Sequence, residues 1–181
     1  MIQALLRLKL PALILLSAWL GYLSLATPEV QTIRLADGAS TIAFPRSLEG
    51  WKVTAGEGNI LARGTTRLNI IALEIETTGV PVIGPLAEYI SDRHSKLWQQ
   101  ETDYQIRLKG ELRDFGRHRA PISRAVFAGT FMGIKTRMVQ HDAYLTYKGE
   151  YVRIGLRFPE FLDEYTANDQ IFIANNIQLG Q

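Results

Sequence analysis

The residue pattern predicts an α+β domain: an antiparallel β-sheet flanked by helices, preceded by one N-terminal transmembrane helix. Three observations carry the prediction. Most strand-like segments alternate apolar and polar residues instead of running continuously apolar, as strands of an antiparallel sheet do. Two segments, one central and one terminal, switch to helical spacing. Finally, Arg7 and Lys9 precede an uncharged run from Leu10 to Pro28, with no acidic residue before Glu29.

That last segment sets the compartment. The 19 residues from Leu10 to Pro28 would measure roughly 28 Å as a helix, close to a bilayer core of about 30 Å. Positive charge ahead of the apolar run directs the downstream chain across the membrane. Residues 1–26 are thus expected to be a signal-anchor, 27–31 a connector and 32–181 the α+β domain. Trp19 and Tyr22 are bulky for a cleavable leader and favour retention, whereas Ser24-Leu25-Ala26 fits a cleavage site, so both outcomes stay open. Either way the domain is expected on the periplasmic or thylakoid-lumenal side of the membrane. ATP and nicotinamide cofactors are not freely available there, which excludes many enzyme classes.

Strand patterns come next along the chain. Ile33 and Leu35 alternate with polar neighbours, Asp37-Gly38 signals a turn, and Thr41–Phe44 reads as the returning strand, ended by Pro45. Trp51 and Val53 follow Gly50, and Asn59–Ala62 is another short strand. In Arg67–Thr77, Ile71, Leu73 and Ile75 alternate with Ala72, Glu74 and Glu76. Pro85 suits the first turn of a helix reaching about Gln100, with Leu86, Tyr89, Ile90, Leu97 and Trp98 on one face. Period two returns at Tyr104, where Ile106, Leu108 and Leu112 alternate with Arg107, Lys109 and Arg113. Ala120–Phe131, Thr136–Tyr147 and Tyr151–Phe158 continue the meander, and Pro159 stops it. A final helix is expected from about Glu160 to Gln178.

Removing Arg7 and Lys9 with the first 26 residues leaves 18 Lys+Arg against 18 Asp+Glu, so the exported part is formally neutral. Its charge gives no reason to expect nucleic acid. With no cysteine, the chain can form no disulfide, no thiolate metal site and no lipoprotein anchor.

Ile42-Ala43-Phe44-Pro45 followed by Gly50-Trp51-Lys52-Val53, then Leu68-Asn69-Ile70-Ile71-Ala72-Leu73 and a helix, resembles the opening of the PsbP-like superfamily. The Tyr147–Tyr151 hairpin, the strand closed by Pro159 and the terminal helix resemble its ending. The superfamily includes the extrinsic PsbP protein of photosystem II and DcrB-type periplasmic proteins. The resemblance implies the same fold over about residues 31–179 and a mostly non-catalytic role in stabilising or assembling membrane complexes. It transfers no functional residue.

Candidate sites are few. No His-x-x-x-His spacing occurs among His94, His118 and His141. His141 shares a strand face with Val139, Ala143 and Leu145 and is expected at the core border with one ring nitrogen bonded. His94 is expected to be similar, and His118 to be solvated. The acidic pairs Asp163-Glu164 and Glu74/Glu76 are the candidates for acid–base work, but Glu74 and Glu76 share a face opposite Leu73 and Ile75 and are expected in solvent. Gly56-Glu57-Gly58 lacks the rest of a phosphate cradle, and no G-x-S-x-G elbow is present. Trp51 and Trp98 are expected in the core. The Pro81–Pro85 loop is expected to pack under the start of the helix.

The remaining constellation is basic. Arg107, Lys109 and Arg113 share one strand face, Arg117, His118, Arg119 and Arg124 come soon after, and Arg153 and Arg157 share the outer face of a later strand. If these strands are neighbours, a positive stripe forms that suits an acidic protein surface or anionic lipid. If not, the residues form a solvated face offset by Glu111 and Asp114. The expectation is a non-catalytic, single-span accessory subunit without a cofactor, binding a photosynthetic or respiratory membrane complex. The alternative is a stand-alone periplasmic ligand-binding or stress-response module of DcrB type, which a pocket lined by Trp51, Trp98 and tyrosines would favour.

Overall fold

The computed structural model describes residues 30–45, 51–66 and 71–180. The expected span at 1–26 and the expected strand start at 67–70 lie outside them. Among the described residues no helix is long and apolar enough to cross a membrane.

β1 (Val30–Arg34) and β2 (Thr41–Pro45) form the predicted hairpin, with Ile33 opposite Ile42. Its turn is built by Asp37, whose carboxylate accepts hydrogen bonds from the Ala39 and Ser40 amides at 3.1 and 2.8 Å. The next segments are β3 (Trp51–Ala55), β4 (Ile60–Thr66), β5 (Ala72–Pro81), α1 (Leu86–Gln100), β6 (Thr102–Phe115), β7 (His118–Phe131), β8 (Ile134–Tyr147) and β9 (Glu150–Pro159). A 3₁₀ turn (Glu160–Leu162), α2 (Asp163–Asn175) and β10 (Ile177–Gln178) complete the described chain.

Two antiparallel sheets result. One is seven-stranded, in the order β3-β4-β5-β9-β8-β7-β6, and the other is three-stranded, β1-β2-β10. The fold is α+β, as predicted, but the predicted terminal helix stops short. Asn176 leaves helical geometry, and Ile177, only 2% exposed, pairs with Ile42 as a strand.

Period two divides the large sheet into two faces. Leu73, Ile75, Val139, Ala143, Ile154, Leu156 and Phe158 point toward the small sheet and α2, where they join Ile42, Phe44, Trp51 and Ile173 in the main core. The opposite face was predicted to meet solvent. Instead α1 lies across it, burying Leu86 and Ile90 against Tyr144. Trp98 is 69% exposed, which corrects its predicted place in the core. At about 100° per residue, Leu86, Ile90 and Leu97 cluster within about 40° on the helix, while Trp98 points roughly 100° away. Trp51 is buried as predicted. The Pro81–Pro85 loop does not pack as predicted: Ile83 is almost wholly exposed.

Candidate functional site

Under α1 the face opposite the core carries the densest set of ionisable groups among the described residues. Arg153 projects from β9 between Glu76 of β5 and Tyr144 of β8, its partners in register. Two residues on, Gly155 lies between Glu74 and Asp142. With no side chain at 155, the Arg153 guanidinium folds along the strand over Gly155 and reaches both neighbouring strands. Its Nε donates to Glu76 Oε1 at 2.6 Å, Nη1 to Asp142 Oδ1 at 2.7 Å, and Nη2 to Glu74 Oε1. A methyl group at 155 would collide with Arg153 Nη1.

α1 closes the cluster from above. Arg93 Nε donates to Asp142 Oδ2 at 3.0 Å, and Tyr89 Oη donates to Glu76 Oε1 at 3.1 Å. Gln140 Nε2 donates to Asp142 Oδ1 at 2.8 Å, and Arg63 Nε to Glu74 Oε2 at 3.0 Å on the outer side. Three carboxylates thus face three guanidiniums, and the cluster is neutral. The Arg153 side chain is 1% exposed and that of Asp142 3%.

Burial alone would raise the Asp142 carboxyl, but the charges of Arg153 and Arg93 outweigh it and hold the group at about 2. Glu76 behaves the same way, with Arg153 overcoming burial to keep it below the usual carboxylate range. Tyr89 is pushed up to about 12 by burial and then by Glu76. Asp142 and Glu76 are therefore held ionised and the Tyr89 phenol protonated. Such a cluster is a joint between helix and sheet, and its chemistry is that of an ion-pair network instead of an acid–base centre.

The basic residues singled out in the sequence do not form one stripe. Arg153 faces away from the core, as alternation requires, but it is buried and paired. Arg157, on the same side, bonds Glu101 at 3.0 Å and lies over the Phe127 ring at 4.4 Å. Arg107, Lys109 and Arg113 sit on the edge strand β6, three strands from β9. At about 4.8 Å per strand the two groups are some 14 Å apart, beyond a Debye length of about 8 Å. Glu74 and Glu76, expected in solvent, are partners of Arg153. Alternation also fails on β6 itself. Register shifts flank Leu108, and Ile106 and Leu112 are exposed beside the charges.

A smaller basic group does assemble at the β6–β7 hairpin. Arg117, His118 and Arg119 line a groove of about 750 Å³ together with Leu112, Thr146 and Gln178. Arg113 nearby is bonded to Glu111 at 2.5 Å, and Arg124 to Asp163 at 2.6 Å.

The histidines diverge. His94 is buried with Nδ1 2.5 Å from Tyr104 Oη, as its predicted role requires. His141 borders the core beside Phe115, but neither ring nitrogen has a partner among the described residues, contrary to the predicted single bond. Burial pushes it down to about 4. His94 and Tyr104 also floor a cleft of about 490 Å³ between α1 and β6, walled by Trp98, Ile106, Ser91 and Lys109. Among the described residues no group of three or more acidic or histidine side chains is placed to hold a metal ion.

Arg93, Asp142, Gln140 and Tyr89 were missed as site residues. The available signal was Arg93 itself, which sits inside the apolar helical stripe, between Tyr89 and Leu86 in angle.

This architecture is a PsbP-like fold. The solution structure of cyanobacterial PsbP (CyanoP) from Synechocystis sp. PCC 6803 matches with a TM-score of 0.55 at 11% identity, covering 83% of this chain and 92% of that one. The crystal structure of LpqN, involved in cell envelope biogenesis of Mycobacterium tuberculosis, matches with a TM-score of 0.48 at 12% identity, covering 85% and 93%. No protein-family model matches the chain. No curated protein matches it either.

Proposed function

We propose that the chain is a non-catalytic accessory module, tethered by its N-terminal segment and binding a larger membrane protein complex from the periplasmic or lumenal side. The observation that carries this is the self-neutralised cluster around Arg153. The densest ionisable groups are spent on fixing α1 to the sheet, which leaves the surface to act by contact. The basic hairpin at Arg117 and Arg119 supplies charge for an acidic protein partner, and tethering raises the effective concentration so that a modest interface suffices. The PsbP-like fold is consistent with this role, since the resemblance read from the sequence implies accessory function. The test is mild detergent solubilisation of native membranes followed by native electrophoresis. Co-migration of the chain with a large complex supports the proposal, and migration only as an isolated protein refutes it.

A second function, ligand binding by the domain alone, is favoured by the cleft at Trp98. An exposed indole, an apolar Ile106 wall and the Lys109 ammonium suit a small amphipathic anion. Trp51, buried in the main core, takes no part. Titration with dodecanoate, read by calorimetry, distinguishes the two functions. Saturable binding lost in Trp98→Ala supports the ligand site, and its absence removes it.

A further inference from the structure

We infer that the β7–β8 hairpin tip, together with the 3₁₀ turn after β9, is a membrane-contact surface that seats the domain on the lipid headgroups beside its own tether. This rests on the proposed tethering of the chain by its N-terminal segment, residues 1–26.

The tip is Phe131-Met132-Gly133-Ile134, with Phe131 opposite Ile134. Met132 and Ile134 are 71% and 70% exposed, and Phe161 of the 3₁₀ turn, whose ring lies 5.9 Å from Phe131, is 65% exposed. Scattered exposed apolar residues are ordinary, but contiguous ones on a protruding tip are not. The tip turn shares its backbone conformation with the β8–β9 turn, where Lys148 and Gly149 have φ of 47° and 82°, but it presents a methionine where that turn presents a lysine. Met132 and Gly133 both have positive φ, at 49° and 79°. The first of these positions normally takes Asn, Asp or Gly, because a long side chain is strained there. A methionine held in that conformation with its side chain outward gains nothing from the fold itself. Lys135 is next in the chain, a cation at the depth of anionic headgroups.

The chain's path makes lipid the occupant. Val30, the first described residue, pairs with Pro45, and Phe44 packs against Trp51 with the tilted rings 4.9 Å apart. Trp51 then leads through Thr66 and Ala72 to Arg157 in the sheet register. At the other end of β1, the Ala36 amide bonds Leu61 and Asp37 meets Tyr147, beside the β8–β9 turn. The chain therefore enters at the end of the large sheet from which the β7–β8 tip projects. From Ala26, the end of the expected anchor, to Val30 at most about 14 Å of extended chain is available. A tether that short holds this end of the domain against the bilayer. The basic β6–β7 hairpin lies at the opposite end of the 14-residue β7, about 45 Å away. It faces away from lipid, toward a protein partner.

The chain has no cysteine, so the full-length protein carrying Met132→Cys alone, or Lys148→Cys in the β8–β9 turn, can be labelled with the fluorophore NBD. Each is reconstituted into phosphatidylethanolamine/phosphatidylglycerol vesicles with and without doxyl-labelled phosphatidylcholine, and carbonate extraction is run in parallel. We expect blue-shifted emission and doxyl quenching at position 132, neither at 148, and resistance to carbonate. If the chain resists carbonate but 132 reports water as 148 does, the tip contact is overturned while the tether stands, and the patch belongs to a protein interface. If carbonate removes the chain but 132 is still quenched, the tip binds lipid on its own and the tether fails. If carbonate removes it and 132 is unquenched, both fail.

Discussion

Arg153→Met is the perturbation that most directly probes the joint between α1 and the sheet. The substitution keeps much of the side-chain volume but removes a guanidinium that is 1% exposed and bonded to three carboxylates. Asp142 would keep Arg93 at 3.0 Å, and Glu76 would keep it only at 3.8 Å. Glu74, a third exposed, can turn toward water and Arg63. Stranding buried charge in this way costs about 3–5 kcal/mol. For a domain of this size that lowers Tm by roughly 6–20 °C. Urea denaturation of the full chain, followed by circular dichroism, measures it. The pH dependence separates electrostatics from packing. In the parent the Asp142 carboxyl titrates at about 2 instead of 3.8. It therefore contributes roughly 2 kcal/mol that is present above about pH 4 and lost as pH falls toward 2. In the variant, burial without Arg153 raises the Asp142 and Glu76 carboxyls, so protonation relieves the stranded charge. The stability gap should narrow steadily from pH 7 to pH 3. Adding Glu76→Gln to Arg153→Met should recover part of the loss at pH 7, because Asp142 keeps Arg93, Glu74 keeps Arg63, and charge is again balanced. A gap below about 1 kcal/mol, or one constant across that pH range, would refute the electrostatic account.

Gly155→Ala should destabilise the domain by a mechanism that overlaps Arg153→Met, since the added methyl displaces Nη1. A double-mutant cycle by urea denaturation should accordingly be non-additive. His141, pushed from 6.5 to about 4 by burial, is held neutral by the fold. Its contribution is complete above pH 6.5 and is lost as pH falls toward 4, roughly 3 kcal/mol, and His141→Phe should flatten the stability curve in that window. Trp51→Ala should cost about 3–5 kcal/mol, whereas Trp98→Ala should stay within about 0.5 kcal/mol; equal losses in denaturation curves would contradict the burial difference. Reversing Arg117 and Arg119 to Glu should slow association with an acidic partner and remove its salt sensitivity in surface-binding kinetics, without changing the unfolding midpoint.

The fold was largely legible because period two is a strong signal on inner strands. Val152, Ile154, Leu156 and Phe158 sort to one face wherever β9 begins, and the Asp37-Gly38 turn fixes the first hairpin by local chemistry. What period two does not encode is the layer that covers the second face. A polar face is read as solvent-facing by default, and Arg153, Glu74, Glu76 and Asp142 all fit that default one at a time. Only the order β5-β9-β8 shows that they converge, and pairing order depends on contacts far apart in sequence. The edge strand β6 misled for a different reason. Its bulges and the positive φ at Gly110 break alternation locally, and an edge strand has a partner on one side only to hold its register.

The buried cluster distinguishes the native arrangement more than it adds to its stability. A neutral set of three acids and three guanidiniums in a low-dielectric layer roughly breaks even against an apolar packing of the same volume. Its alternatives do not break even. A one-residue slip of β9 would swing Arg153 into the layer of Leu73, Ile75 and Ala143, while Leu156 or Ile154 would take its place among the carboxylates. A slip of α1 by one residue would carry Arg93 about 100° round the helix and leave Asp142 with one cation fewer. Hydrophobic contacts already penalise the slip of β9, which would carry Val152, Ile154, Leu156 and Phe158 out of the core, but they hold α1 less firmly, through Leu86 and Ile90. Charge adds to the first penalty and supplies much of the second. The same residues that resemble a functional site by their density and shifted ionisation thus set the registers of β5, β9, β8 and α1.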